Sequence, residues 1–145
     1  MTPETRTHDV ILLGGGLAGL TLALQLKKQD PAIDVLVLER RAHPVPEAAH
    51  KVGESTVEIG AHYFANMLGL REHLEREQIR KFGFRFFFSD GRRDLDRCTE
   101  LGVSRILPTP SWQIDRGRFE NFLGEEARRL GVRFVDGAVV RGLEL

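Results

Sequence analysis

The stretch Gly14-Gly15-Gly16-Leu17-Ala18-Gly19 constrains this chain more than any other, because it fits GxGxxG and lies directly between two apolar runs. Val10–Leu13 before it has the make-up of a fully buried strand, and Leu17–Gln29 after it is apolar on nearly every face of a helix, as a helix buried against a sheet must be. Asp30-Pro31 ends the helix, and Ile33–Leu38 is a second β-branched strand, so residues 9–39 form a βαβ unit with parallel neighbouring strands and a right-handed crossover. Gly14 allows the tight turn, Gly16 lets a ligand approach the backbone, and Gly19 lets helix and strand pack closely. Free N–H groups at Gly16, Leu17 and Ala18, at the positive end of the helix dipole, suit a diphosphate. Glu39, with Arg40 beside it, follows Gly19 by twenty residues and is placed to accept the hydroxyl hydrogens of an adenosine ribose. A carboxylate there also disfavours a 2′-phosphate.

Composition narrows the partners. With 21 Lys plus Arg against 21 Asp plus Glu, no basic excess exists to attract nucleic acid or an anionic membrane. Val10–Leu26 is uncharged for 17 residues, but its three adjacent glycines fit a strand, turn and helix better than a membrane span. The leader MTPETRTHD has no net basic character, so it is not read as a signal peptide. The lone Cys98 cannot form an internal disulfide, which makes a reducing cytoplasm the expected compartment. The five histidines show no metal-ligand spacing, so no metal site is expected and they are read as surface or loop residues.

Downstream, Pro44 and Pro46 make residues 41–53 an ordered loop. Ser55 and Glu58 have capping-box spacing, which predicts a helix start followed by an apolar stripe through Val57, Gly60/Ala61, Phe64 and Met67/Leu68. Residues 71–80 read as a charged helix, and Phe82, Phe84, Phe86 and Phe88 as one strand with an aromatic face packed on a core. Lys81 heads that strand and shares a side with Gly83, whose bare backbone leaves room for a small molecule. A further strand is expected at Val103–Leu107. Residues 116–130 carry Phe119, Phe122, Leu123, Ala127 and Leu130 at helical spacing, Gly131 stops that helix, and Val132–Val135 and Ala138–Leu145 read as third and fourth strands. The chain then stops inside an apolar run, the expected sign of an N-terminal part whose distal sheet lies elsewhere.

The long loop, the aromatic strand and Arg116-Gly117-Arg118-Phe119, with Leu123 following, resemble the flavoprotein group of aromatic hydroxylases, geranylgeranyl reductases and flavin-dependent halogenases. The resemblance implies a Rossmann-like α/β FAD-binding parallel sheet with helices, the N-terminal part of a larger two-domain flavoprotein, with Arg116 near the cofactor. Within that group, Val52-Gly53-Glu54-Ser55-Thr56 is similar to the flavin strap of the tryptophan-halogenase family, implying cofactor contacts at Gly53, Glu54, Ser55 and Thr56. The same letters also fit the helix cap, and both roles stay open. Halogenases of this family carry a lysine where Lys81 stands, so the likeness implies a catalytic Lys81 that presents hypohalous acid to an electron-rich aromatic substrate. It further implies reduced FAD supplied by a separate flavin reductase. An ammonium is a compact, movable donor suited to that task. Residues 81–107 would then contribute to the substrate side. An aromatic monooxygenase or reductase of the same group is the alternative, and a non-catalytic dinucleotide-binding module a second.

Overall fold

The computed structural model describes residues 5–105 and 107–144. Its centre is a three-stranded parallel sheet, in order β1-β2-β7, of β1 (Val10–Leu13), β2 (Val35–Leu38) and β7 (Arg133–Val135). Val10 pairs with Val35 and Leu38 with Val135, so Val10, Leu12, Val35, Val37 and Phe134 share one face. On that face pack α1 (Leu17–Gln29) and α4 (Arg116–Arg129). Leu20, Ala23 and Leu24 of α1 and Phe119, Leu123 and Ala127 of α4 are buried in the core. The opposite face carries Ile11 and Leu13, about half exposed. The predicted βαβ unit and third strand are therefore present, with β2 starting at Val35.

The second layer begins with α2 (Glu58–His62), continued by one π-helical turn over Tyr63–Met67, and α3 (Arg71–Glu77). β3 (Ile79–Lys81) pairs antiparallel with β6 (Ser111–Gln113), and β4 (Arg85–Phe88) with β5 (Thr99–Gly102). Residues 41–53 are an ordered loop stapled to α4: Asn121 exchanges two hydrogen bonds with the Val45 backbone, and the Ala48 N–H donates to the Asp115 carboxylate. Gly117 makes this possible, since a Cβ there would stand 2.0 Å from the Pro46 carbonyl oxygen.

Several expectations are corrected. The capping box does not form: the residue before α2 is Val57, without a side-chain cap. Ser55 instead bridges to Gln113, and the Thr56 hydroxyl bonds both the N–H and the carbonyl of Trp112, 56 residues away. Long-range pairing with β6 outweighs the local cap. In the stripe after it, Ala61, Phe64 and Leu68 are buried but Val57 and Met67 are exposed. The charged helix ends at Glu77, and Ile79–Lys81 is strand.

The phenylalanine run breaks at Phe82–Phe84, and Phe82, Phe84, Phe86, Phe87 and Phe88 are all exposed, because the two-stranded ribbon β4–β5 has no layer against either face among the described residues. Gly83 does not leave an open space: its φ is +112°, and a Cβ there would stand 2.8 Å from the Val103 side chain. The strand expected at Val103–Leu107 lies earlier, at Thr99–Gly102, while Ile106 is outside the described residues. Residues 138–144 form no strand, and Leu145 is outside the described residues. His73 is a core residue, stacked on Phe119 and Phe122.

Candidate functional site

The glycine turn lies at the carboxyl ends of β1 and β2, where open α/β sheets form their ligand crevice. The Gly14 N–H donates to the Leu38 carbonyl, tying the turn to the end of β2. Gly14 has φ +117°, a conformation suited to glycine. At Gly19 a Cβ would stand 2.0 Å from the Gly14 carbonyl oxygen, so the bare backbone there is what lets α1 approach the turn. Gly16 precedes α1 with no side-chain cap, and α1 has no acidic residue in its first turn, so its N-terminal N–H groups at Leu17 and Ala18 stay available to an anion. The space beside Gly16 is open, the nearest atom to a Cβ there being Glu120 Oε1 at 3.8 Å.

Glu39 follows β2 and accepts hydrogen bonds from the Gly15 N–H at 2.6 Å and the Arg41 N–H at 2.8 Å. Burial alone would raise its pKa, but the Arg41 and Gly15 donors, with His43 and Arg40 nearby, outweigh that and hold the carboxyl below its usual range. An ionised, fixed acceptor is what a ribose diol needs. Arg40 is exposed on the same rim.

Glu39, Arg40, Gly16, Lys51, Arg116 and Glu120 line one cleft of about 340 Å³. Arg116 opens α4, whose Asp115 cap accepts from the Arg118 N–H at 3.1 Å. Burial would raise the Asp115 pKa, yet the Arg118, Ala48 and Gly117 N–H groups lower it overall. Arg116 donates from Nη2 to Glu120 at 2.6 Å and from Nη1 to the Val52 carbonyl at 3.1 Å, while its Nε is buried without a partner. Lys51 Nζ donates to the other Glu120 oxygen, also at 2.6 Å. The residues present thus fit a dinucleotide: an acid for the ribose, a bare glycine, free helix N–H groups and an arginine with a donor to spare.

The segment Gly53–Thr56 runs from this cleft to a second point of interest. Glu54 accepts from the Lys51 N–H at 3.0 Å, and its carbonyl accepts from the Ile114 N–H at 2.7 Å. Ser55 and Thr56 then meet Lys81, whose Nζ donates to Ser55 Oγ at 2.6 Å and to the Thr56 carbonyl at 2.8 Å and lies 4.7 Å from the centre of the Phe84 ring. Of the residues singled out from the sequence, Gly14, Gly16, Leu17, Ala18, Gly19, Glu39, Arg40 and Arg116 gather at the glycine turn. Gly53, Glu54, Ser55 and Thr56 connect that cleft to Lys81.

Sequence reasoning missed Lys51 and Glu120. The available signal was spacing: Glu120 stands four residues after Arg116 and three before Leu123, on the apolar stripe where a solvated carboxylate would be out of place. Among the described residues, no group of three or more His, Cys, Asp or Glu could hold a metal ion. Among them, too, no helix is long and apolar enough to cross a membrane.

The model for the NAD(P)-binding Rossmann-like domain matches residues 12–76. The chain is 28% identical over 139 residues to a flavin-dependent halogenase of Dictyostelium discoideum, covering 91% of this chain and 23% of that protein. It is 30% identical over 156 residues to a 1H-pyrrole-2-carbonyl-[peptidyl-carrier protein] chlorinase of Pseudomonas fluorescens, covering 94% of this chain and 32% of the chlorinase. Over 50 residues it is 48% identical to an FAD-dependent monooxygenase of Penicillium canescens, covering 34% of this chain and 10% of that enzyme. The solved structure of the myxobacterial chondrochloren halogenase superposes with a TM-score of 0.71 at 28% identity, over 92% of this chain and 29% of that one. The chain therefore has the Rossmann-like FAD-binding fold of these flavoproteins, and it spans a third or less of the length of the curated relatives it matches.

Proposed function

We propose that this chain, with its Rossmann-like FAD-binding fold, holds FAD in the glycine-turn cleft and serves a flavin-dependent halogenase acting on an electron-rich aromatic compound. Lys81 is the catalytic residue in this reading. When bound, FAD supplies the redox chemistry that, with oxygen and halide, yields hypohalous acid. Gly16, Leu17 and Ala18 receive the diphosphate, Glu39 the adenosine ribose, and Arg40 and Arg116 border the cofactor. Gly53, Glu54, Ser55 and Thr56 form the strap.

The observation that carries the proposal is the seating of Lys81. An ammonium has three N–H donors. Two are spent on Ser55 and Thr56, both on the strap that leads from the cofactor cleft, and one is left to donate. A hydrogen bond from that donor to the oxygen of hypohalous acid makes the halogen electrophilic. Carbon–halogen bond formation breaks the halogen–oxygen bond, and the departing hydroxide becomes water by taking up the ring proton.

Residues 81–107 form the substrate side in this account, with a flavin reductase supplying reduced FAD and the cytoplasm as the compartment. The test is Lys81→Ala. Halogenated product falls by two or more orders of magnitude while FAD affinity is unchanged; intact halogenation would overturn the role of Lys81. The short match to a monooxygenase supports a second reading, in which the same FAD site serves hydroxylation and the product gains oxygen in place of halogen.

A further inference from the structure

We infer that Lys51 is a ligand of the cofactor's diphosphate and that Glu120 is the positioning residue that assembles Lys51 and Arg116 into a clamp beside Gly16. The inference rests on the reading that the cleft binds FAD. It comes from a charge imbalance. Glu120 is 4% exposed, and its two oxygens are each taken by a different cation at 2.6 Å, Lys51 Nζ and Arg116 Nη2. The side chains of Lys51, Arg116 and Glu120 together carry one net positive charge, with the Glu54 carboxylate held separately at the Lys51 and Arg116 backbone N–H groups. The cluster borders the glycine turn: Lys51, Arg116 and Glu120 line the same cleft as Gly15 and Gly16, and Glu120 Oε1 lies 3.8 Å from the position of a Gly16 Cβ.

Donor accounting points the same way. Lys51 spends one of its three side-chain N–H groups on Glu120. Arg116 keeps a buried Nε without a partner after bonding Glu120 and the Val52 carbonyl. That Nε has no accessible surface, so the donors an anion in the cleft would meet are the remaining N–H groups of Lys51 and of the Arg116 Nη atoms. If the cluster served only to fasten the loop to α4, one cation would balance Glu120. The loop is in any case already fastened by Asn121 and Asp115. That fastening fixes Lys51 at the mouth of the cleft, and Glu120 keeps two like charges side by side that would otherwise repel each other and turn toward water.

The test is FAD binding by the purified protein, followed by quenching of flavin fluorescence at low and high salt. Lys51→Met is expected to weaken binding about tenfold or more and to flatten its salt dependence, with Lys51→Arg restoring most of both. Glu120→Gln is expected to weaken binding with the same loss of salt dependence, because its cations are no longer held at the turn. Inorganic pyrophosphate should displace FAD from the unsubstituted protein and do so less effectively from Lys51→Met. This competition keeps the proposal testable should Glu120→Gln fail to fold. FAD affinity within twofold of the unsubstituted protein in Lys51→Met, or unchanged pyrophosphate competition, would overturn the clamp while leaving the cofactor reading standing. Failure of the unsubstituted protein to bind FAD would overturn both.

Discussion

Gly16 and Gly19 lie three residues apart in the same motif, and the geometry assigns them opposite liabilities. At Gly16 the backbone is extended, with φ −86° and ψ −169°, which any residue can adopt, and a Cβ meets nothing nearer than 3.8 Å. Gly16→Val therefore costs about 1 kcal/mol or less, mainly through loss of a favourable residue before α1. Its branched side chain would stand where the diphosphate must approach the helix N–H groups. Losing two charge-assisted hydrogen bonds, at about 1.5–3 kcal/mol each, weakens FAD binding by a factor of about 10² or more. At Gly19 a Cβ would be 2.0 Å from the Gly14 carbonyl oxygen, so helix and turn must part by about 1 Å before the contact reaches 3.0 Å. Gly19→Val should cost about 3 kcal/mol through overpacking. That corresponds to a fall in Tm of roughly 10 °C for a domain of this size. Thermal melting by circular dichroism and flavin fluorescence quenching separate the two effects. The reasoning is refuted if Gly16→Val binds FAD within threefold of the unsubstituted protein, or if Gly19→Val melts at the same temperature as it.

Three further predictions follow from the core and the helix caps. Burial depresses the pKa of His73, so this residue contributes stability that is full above its unfolded pKa of about 6.5 and is lost as pH falls through the lower folded value. His73→Phe should shrink the drop in Tm between pH 7.5 and 5.5, leaving the part due to His43, which burial also depresses; an unchanged drop would contradict this. Asp115→Ala removes the α4 cap and the acceptor for the Ala48 N–H, so chemical denaturation should report a loss of about 1–2 kcal/mol. Phe119→Ala, at a fully buried ring packed on Phe64 and His73, should cost about 3–5 kcal/mol in the same assay.

What the sequence made legible was local. The βαβ unit could be read because its strand, glycine turn, helix and terminal acid lie within about thirty residues and each obeys its own periodicity. The same holds for α4, with Asp115 before it and Gly131 after it. The strap was ambiguous because Ser55 and Glu58 satisfy a helix cap on paper, while the partner that decides the matter, Trp112, is 56 residues away from Thr56. The phenylalanine run misled for a related reason. Alternation shows that two faces differ, not that either is covered, and here both are exposed. Lys51 and Glu120 are separated by 69 residues, so no local pattern could join them. Only the placing of a glutamate on an apolar stripe hinted at a buried charge. His73 was hidden likewise, since its helix is mostly charged and stacking on Phe119 and Phe122 is a tertiary fact.

The most direct test of the central claim is a product mass spectrum of the protein supplied with reduced FAD, oxygen, bromide and a panel of indoles, phenols and pyrroles. The account predicts replacement of one aromatic hydrogen by bromine, abolished by Lys81→Ala. A product that gains oxygen in place of bromine, or bromination that survives Lys81→Ala, would contradict it.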